Sequence, residues 1–384
     1  MHPSMLTEEQ IALKDAARKL ALSEFRDRAA RWDREGIYPD ENHHRLSELG
    51  YLGMTIPGEY GGGDASLVDC YLVIEELAKV DFNTALIVHD QNVSPRIIAT
   101  CGSEELKRAF LPRFAAGEIE CAISWTEPEA GSDATAVTTS LRRDGNDFVL
   151  NGGKIFTTFG DRADYLLVYA RFCDSKGARG IGTVLVERDS PGVTVHILEQ
   201  KMGARGCNEC EIHFDDVRVP AENIVTEGLA ENSSGFVRPL GVYNGTRVGM
   251  GVLALGVAEG AFDLACDYMK TRRQFGKALS DMQGLQWMMS DMKVQIEAAR
   301  SLCYTALSLI DRGQPDPTLS SIAKVQATEM AQRVTHDAMQ MFGGYGYFGS
   351  LPLERMVRDV RMLTITGGTT QIHKNGIARA LFAD

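Results

Sequence analysis

From Leu6 to about Phe114 apolar residues recur at helical spacing. Ile11, Leu13, Ala17, Leu20 and Ala21 broadly share one helix face, and Thr7 followed three residues later by Gln10 forms a capping-box pattern at its start. The stretches "IYPDE", "IPGEYGGGD" and "TCGSEE" mark loops between these helices. Between Cys121 and Val219 the period shortens. Runs such as "DFVLNG", "YLLVYA", "TVLVE", "VTVHIL" and "CEIHFDDVRVP", separated by Gly, Pro and Asp, predict short strands in a compact β-barrel or sandwich. After about Gly235 the helical period returns. Leu285, Met289, Met292, Ile296, Ala299, Cys303, Ala306 and Ile310 follow alternating three- and four-residue steps, one stripe facing a bundle core. "RGQPDPT" ends that helix, and the next is expected from about Leu319 to Phe342. The pattern predicts an α+β chain: a helical domain over residues 1–120, a β domain over 121–232 and a helical bundle over 233–384.

Composition narrows the function more than the fold. At 384 residues the chain exceeds one simple core. Its net charge of −12, with no basic cluster, argues against a nucleic-acid or anionic membrane surface. The opening "MHPSMLTEEQIALKDAARKLALSEF" lacks the pattern of a signal peptide, and no run approaches about 18 uncharged apolar residues. A soluble, cytoplasmic protein is expected. Eight cysteines scattered over this length do not form a disulfide framework, and the one close pair, Cys207 and Cys210, is weak evidence for zinc, so no metal is expected.

Chemistry-bearing residues concentrate in short motifs. "WTEPEAGSD" (125–133) puts Thr, Gly and Ser at the edge of the β domain, where N–H groups and hydroxyls can hold a polar ring edge or a phosphate. With "LNGGKIFTT" (150–158), "PGV" (191–193), "KMGARG" (201–206), "FDDVRVP" (214–220), "TRRQFGK" (271–277), "MQMFGGYGY" (339–347) and "RDVRMLTITGGTTQI" (358–372), it resembles the acyl-CoA dehydrogenase family in order and spacing across nearly the whole chain.

The resemblance implies a four-helix C-terminal bundle, FAD between it and the β domain, and hydride transfer from a CoA thioester to flavin N5. It also implies a homotetramer and an acceptor such as an electron-transfer flavoprotein. By motif matching, Trp125, Thr126, Ser132, Phe156 and Thr158 surround the flavin. Arg272, Gln274, Phe275, Gln340, Gly343 and Gly344 match contacts to FAD from a neighbouring subunit, and Thr369 and Gln371 match further cofactor contacts. Arg272 can pair with the pyrophosphate, and glycines let the backbone approach it. Asn244 and Arg247, in "VYNGTRVG", match the segment that meets CoA, with Ser132 also on the substrate side; the family commonly has Asp at position 244.

The departure lies at "TITGGTTQI". Where the family usually reads Tyr-Glu-Gly-Thr, this chain has Thr366-Gly367-Gly368-Thr369, so the glutamate that removes the α-proton is missing. The other family position for that base is Thr246 here. A backbone N–H survives the change to glycine, so Gly367 can still polarise the thioester oxygen.

The best replacement acid is Asp90, in "ALIVHDQNVSPRII", because the matching family helix lines the inner end of the acyl cavity. An acid beyond the α-carbon suits γ-deprotonation of an α,β-unsaturated thioester, as in the cyclohex-1-ene-1-carboxyl-CoA dehydrogenases that this pattern resembles. Thr366 in place of tyrosine is consistent with room for a ring, and Gln91 and Asn92 are candidates to hydrogen-bond substrate or Asp90. A hydrogen-bonded or capping aspartate is the bland alternative for Asp90. Adjacent His89 is expected to be a satisfied core residue facing away from it. The expected activity is FAD-dependent 1,4-elimination from cyclohex-1-ene-1-carboxyl-CoA to a cyclic dienoyl-CoA. The alternatives are a conventional dehydrogenase with a relocated base, or a flavin-dependent enoyl-CoA reductase or oxygenase.

Overall fold

The computed structural model describes residues 6–383. α1 (Glu8–Leu20) opens on the expected capping box: Thr7 Oγ1 accepts from Gln10 N–H, and the Gln10 side chain accepts from Thr7 N–H. A π-helical turn leads into α2 (Arg26–Glu35), followed by α3 (Asp40–Glu48), α4 (Leu67–Ala78), α5 (Phe82–Gln91), α6 (Val93–Cys101) and α7 (Glu104–Ala115). α4 is buried on nearly every side, by α1, α5, α8 and α9, and carries Glu75 and Glu76 into the interior. Those charges are matched by Arg300 at 3.2 Å from Glu75 and by Arg18 and Lys79 at 3.0 and 2.9 Å from Glu76. The ion pairs tie the N-terminal helices to the bundle.

The middle of the chain forms one eight-stranded sheet: β1 (Cys121–Ser124), β2 (Ser140–Asp144), β3 (Asp147–Thr158), β4 (Tyr165–Arg171), β5 (Ile181–Glu187), β6 (Val193–Ile197), β7 (Glu209–Val219) and β8 (Ile224–Thr226). The order is β6-β7-β3-β2-β4-β5-β8, with β1 parallel to β4. Alternate residues such as Leu141, Leu150, Leu166, Val168, Ile212 and Phe214 pack its core. The β3–β7 register slips between Lys154 and Thr157, where Phe156 has φ +57°. Such a bulge re-aims the side chains that follow it.

The bundle is α8 (Ser234–Thr271), α9 (Gln283–Asp311), α10 (Pro317–Met341), α11 (Leu353–Arg361) and α12 (Thr370–Leu381), with a small hairpin of β9 (Arg273–Gln274) and β10 (Lys277–Ala278) after α8. The stripe on α9 buries Met292, Ile296, Ala299, Cys303 and Ala306, with Leu285 and Met289 partly buried at its start. α10 begins at Pro317, slightly before its expected start. Asp316 caps the Thr318 and Leu319 N–H groups, and proline suits the first helical turn. α8 is long and apolar enough to cross a membrane by length and composition alone, yet 78% of its most apolar window is buried inside the protein. It is a core helix.

Candidate active site

The last turn of α5 carries the acid. Residues Phe82 to Val88 are buried, and Asp90 follows with 24% side-chain exposure. Among the described residues its carboxylate accepts no hydrogen bond, and its nearest charged-type neighbour is His89 Nε2 at 3.9 Å. Burial pushes the carboxyl up to about 8, with Glu209 adding and Lys201 opposing. The helix C-terminus, with its outward carbonyls, also disfavours an anion there. The Asp90 carboxyl makes no hydrogen bond to those carbonyls among the described residues, and Asn92 is the C-cap residue of α5.

The neighbours of Asp90 depart from expectation. Gln91 donates one amide N–H to Glu120 Oε2 at 3.3 Å, which draws it toward the N-terminal helices. Asn92 donates to Val88 O and Tyr51 O and accepts from Thr55 N–H, a structural knot where α5 meets α6. His89 is only half satisfied: Nδ1 meets the Tyr71 hydroxyl at 3.2 Å, whereas Nε2 is buried without a partner among the described residues. Neighbouring side chains on a helix diverge at Cβ, but the long imidazole returns its tip toward Asp90.

The Thr366–Thr369 segment is held by its carbonyls. Gly367 O accepts from Arg247 Nε at 3.3 Å and His373 Nε2 at 3.2 Å, and Gly368 O accepts from Lys324 Nζ at 2.7 Å. A carbonyl only accepts, so His373 carries its proton on Nε2 and meets Ser321 Oγ through Nδ1. Burial, with Arg247 adding, lowers Lys324 to about 8; burial, with Lys324 adding, lowers His373 to about 4. Gly367 and Gly368 have φ of +67° and +95°, which favour glycine. The Gly367 N–H has no acceptor among the described residues. Thr369 caps α12 by accepting from Ile372 N–H, while Gln371 is exposed.

Tyr243 joins these parts, and sequence reasoning missed it. Its ring lies 5.6 Å from Trp125, edge to face, and 5.8 Å from the Arg247 guanidinium. Its hydroxyl is pushed up to about 12 by burial, and Asp90 adds to the shift. Asn244 Oδ1 accepts from Arg247 Nη1 at 2.8 Å, so the two expected CoA contacts are already coupled. Thr246, at the second usual home of the base, is buried, and its hydroxyl has no partner among the described residues. The signal for Tyr243 was present: it is four residues before Arg247 on one helix face.

The expected cofactor residues fall into two groups. In the first, the loop after β1 is anchored by Glu127, which receives Lys154 Nζ at 2.7 Å; although burial alone would raise it, Lys154 and the Thr138 and Thr139 donors hold its carboxyl at about 2. Trp125 stacks on Tyr169 at 4.2 Å, Thr126 O accepts from Ile155 N–H, Ser132 is exposed, and Phe156 projects at 63% exposure. Thr158 donates to Glu209 Oε2 at 3.0 Å, and Glu209 pairs with Lys201 at 2.8 Å. That ion pair is a second feature the sequence did not announce.

In the second group, Arg272, Gln274, Gln340, Gly343 and Gly344 line one cavity of about 880 Å³. Phe275 stands beside them, 93% exposed at φ +51°. A guanidinium, two carboxamides and glycine backbone around one recess fit a phosphate-bearing nucleotide cofactor. None of the β-domain group lines that cavity, so one chain does not join the two halves. A larger cavity, about 1070 Å³, between α1–α2 and the bundle contains none of the expected site residues. Cys207 and Cys210 face apart, toward Asn83 and Asp161.

Comparisons with known proteins agree with this geometry. Residues 7–118, 122–217 and 233–382 match the N-terminal, middle and C-terminal domains of acyl-CoA dehydrogenase. The chain is 42% identical to 3-sulfinopropanoyl-CoA desulfinase of Paraburkholderia xenovorans (98% of this chain, 96% of the relative). It is 40% identical to acryloyl-CoA reductase (NADH) of Anaerotignum propionicum (97% and 94%) and 38% identical to cyclohex-1-ene-1-carbonyl-CoA dehydrogenase of Syntrophus aciditrophicus (98% and 90%). Among solved structures, butyryl-CoA dehydrogenase from Megasphaera elsdenii superposes with a TM-score of 0.93 at 36% identity, covering 98% of each chain. A chain from work on the electron transferring flavoprotein of Acidaminococcus fermentans superposes at 0.94, with 37% identity and 99% coverage of each. The chain belongs to the FAD-dependent acyl-CoA dehydrogenase family.

Proposed function

We propose that this enzyme oxidises cyclohex-1-ene-1-carboxyl-CoA by 1,4-elimination to a cyclic dienoyl-CoA, with Asp90 as the base. The observation that carries the reading is an unpartnered carboxylate on α5 in a chain whose family base position is Gly367. Asn244, Arg247 and Ser132 hold the CoA portion, and Thr366 leaves space for the ring. The unengaged Gly367 N–H donates to the thioester oxygen, spreading acidity through the α,β double bond to the γ-carbon. An Asp90 oxygen takes the γ-proton. FAD, bound by Trp125, Thr126, Phe156, Thr158, Thr369 and Gln371 and by Arg272, Gln274, Phe275, Gln340, Gly343 and Gly344 of a second copy, supplies the hydride acceptor. A homotetramer in the cytoplasm, with helical, β and helical domains at 1–120, 121–232 and 233–384, passes electrons to an electron-transfer flavoprotein.

An ionised Asp90, as the base must be, disfavours an anionic acyl end such as a sulfinate, which sets this reading apart from the desulfinase relative. The second reading is an NADH-linked enoyl-CoA reductase, favoured by the acryloyl-CoA reductase relative. The test is anaerobic mixing with saturated and unsaturated, linear and cyclic CoA thioesters while flavin absorbance is followed. Cyclohexenoyl-CoA bleaches the wild-type flavin, and Asp90→Asn slows bleaching by roughly 10²–10⁴-fold, the worth of a general base. Equal bleaching by both proteins removes Asp90 from the mechanism. NADH oxidation driven by an enoyl-CoA, without bleaching by the cyclic substrate, favours the reductase.

A further inference from the structure

We propose that His89 is a positioning residue for the Asp90 carboxylate: the Tyr71 hydroxyl holds its Nδ1, and its Nε2–H is aimed at Asp90. This rests on Asp90 being the base. The His89 side chain is fully enclosed, its Nε2 has no partner among the described residues, and Asp90 Oδ1 lies 3.9 Å away. Buried polar atoms are nearly always paired, so an orphan beside an unpartnered carboxylate calls for an explanation. The two unpartnered groups lie within 4 Å of each other.

The tautomer follows from the donors and acceptors. Burial, with Arg96 adding, lowers the imidazole to about 3, so the ring is neutral and carries one N–H. Once Asp90 is ionised, as a base must be, a proton on Nδ1 would leave a bare Nε2 beside the carboxylate, lone pair to lone pair. With it on Nε2, Tyr71 O–H donates to Nδ1 at 3.2 Å and the ring presents a donor to Asp90. The 3.9 Å gap is longer than a hydrogen bond, and catalytic contacts commonly tighten when substrate binds.

Tyr71 is itself fixed. Its ring lies 5.8 Å from that of His89, and its hydroxyl sits against Gly249 of α8, where an added Cβ would overlap it. The other groups facing Asp90 are Glu209 of β7, Lys201 and Cys207 in the loop before it and Tyr243 of α8; Arg96 of α6 acts on His89. Lys201 is already paired with Glu209. Of the donors that remain, the Tyr243 hydroxyl and His89 Nε2, the latter is buried without a partner among the described residues and lies 3.9 Å from Asp90 Oδ1.

The test compares FAD-loaded wild type, His89→Leu, His89→Gln and Tyr71→Phe with cyclohex-1-ene-1-carboxyl-CoA across pH, with Asp90→Asn as control. His89→Leu lowers kcat about tenfold with KM little changed, and moves the limb that reports Asp90 about one pH unit upward, the worth of one hydrogen bond to a charge. His89→Gln, which keeps an N–H, recovers part of both effects. Tyr71→Phe removes one oxygen and moves the limb the same way by less, so the question stays answerable even where His89→Leu fails to fold. The infrared carbonyl band of protonated Asp90, identified by its loss in Asp90→Asn, titrates with the same shift without turnover. An unmoved limb and band in both His89→Leu and Tyr71→Phe overturn the proposal. Full turnover by Asp90→Asn instead overturns the base assignment beneath it.

Discussion

Asp90 keeps its proton in the folded chain up to about pH 8, against a value of 3.8 for the free side chain. Between those values the folded state binds more protons than the unfolded chain, so stability falls as pH rises from about 4 to about 8, by up to ~1.4 kcal/mol per pH unit, and levels off above. Asp90→Asn removes that decline. Its melting temperature exceeds that of wild type at pH above 8, and the two curves approach each other near pH 4; a more stable wild type at high pH would contradict the burial. Proton removal runs the other way. A base must be ionised, so kcat/KM rises with pH toward about 8, where the fold gains least from this residue. The sequence made Asp90 legible because an acid interrupts an apolar helical run. It could not reveal that Gln91 and Asn92 are spent on Glu120 and on the α5–α6 junction, since those partners lie far away in the chain.

Among the elements, the loop from Thr366 to Thr369 shows best what pattern can and cannot convey. Two adjacent glycines announce a turn, and both have positive φ. What fixes the turn is Lys324 on α10, buried and donating to Gly368 O at 2.7 Å. A lone lysine within a helical stripe carries no mark of that role, and only its burial betrays it. Lys324→Met leaves Gly368 O without its donor and costs about 1–3 kcal/mol of stability. Since the loop also offers the Gly367 N–H, KM for the thioester rises in the same variant. Chemical denaturation and initial-rate kinetics check the pair of effects, and a stable variant with unchanged KM would show that Arg247 and His373 suffice to hold the loop. The β3 bulge at Phe156 makes the same point: "KIFTT" reads as a strand, and the register slip that re-aims its end is set by pairing with β7.

At the scale of the molecule, helices, sheet and bundle were legible because hydrophobic period changes near Cys121 and Gly235, whereas the division of the cofactor site was legible only through resemblance. The reason is geometric: Arg272 lines the 880 Å³ cavity and Trp125 does not, and no local pattern links the two. Around the 880 Å³ cavity the aromatic residues Phe275, Tyr345, Tyr347 and Phe348 are 93%, 61%, 78% and 67% exposed. Clustered exposed aromatics of this kind mark a surface that another molecule covers. If a second copy covers it, as proposed above, cofactor binding and assembly stabilise one another by mass action. Arg272→Ala then lowers the flavin-to-protein ratio and shifts the sedimenting species toward smaller forms together, and added FAD reverses both. Loss of flavin from a protein whose assembly is unchanged would separate the two, leaving Arg272 a cofactor ligand with no part in holding the copies together.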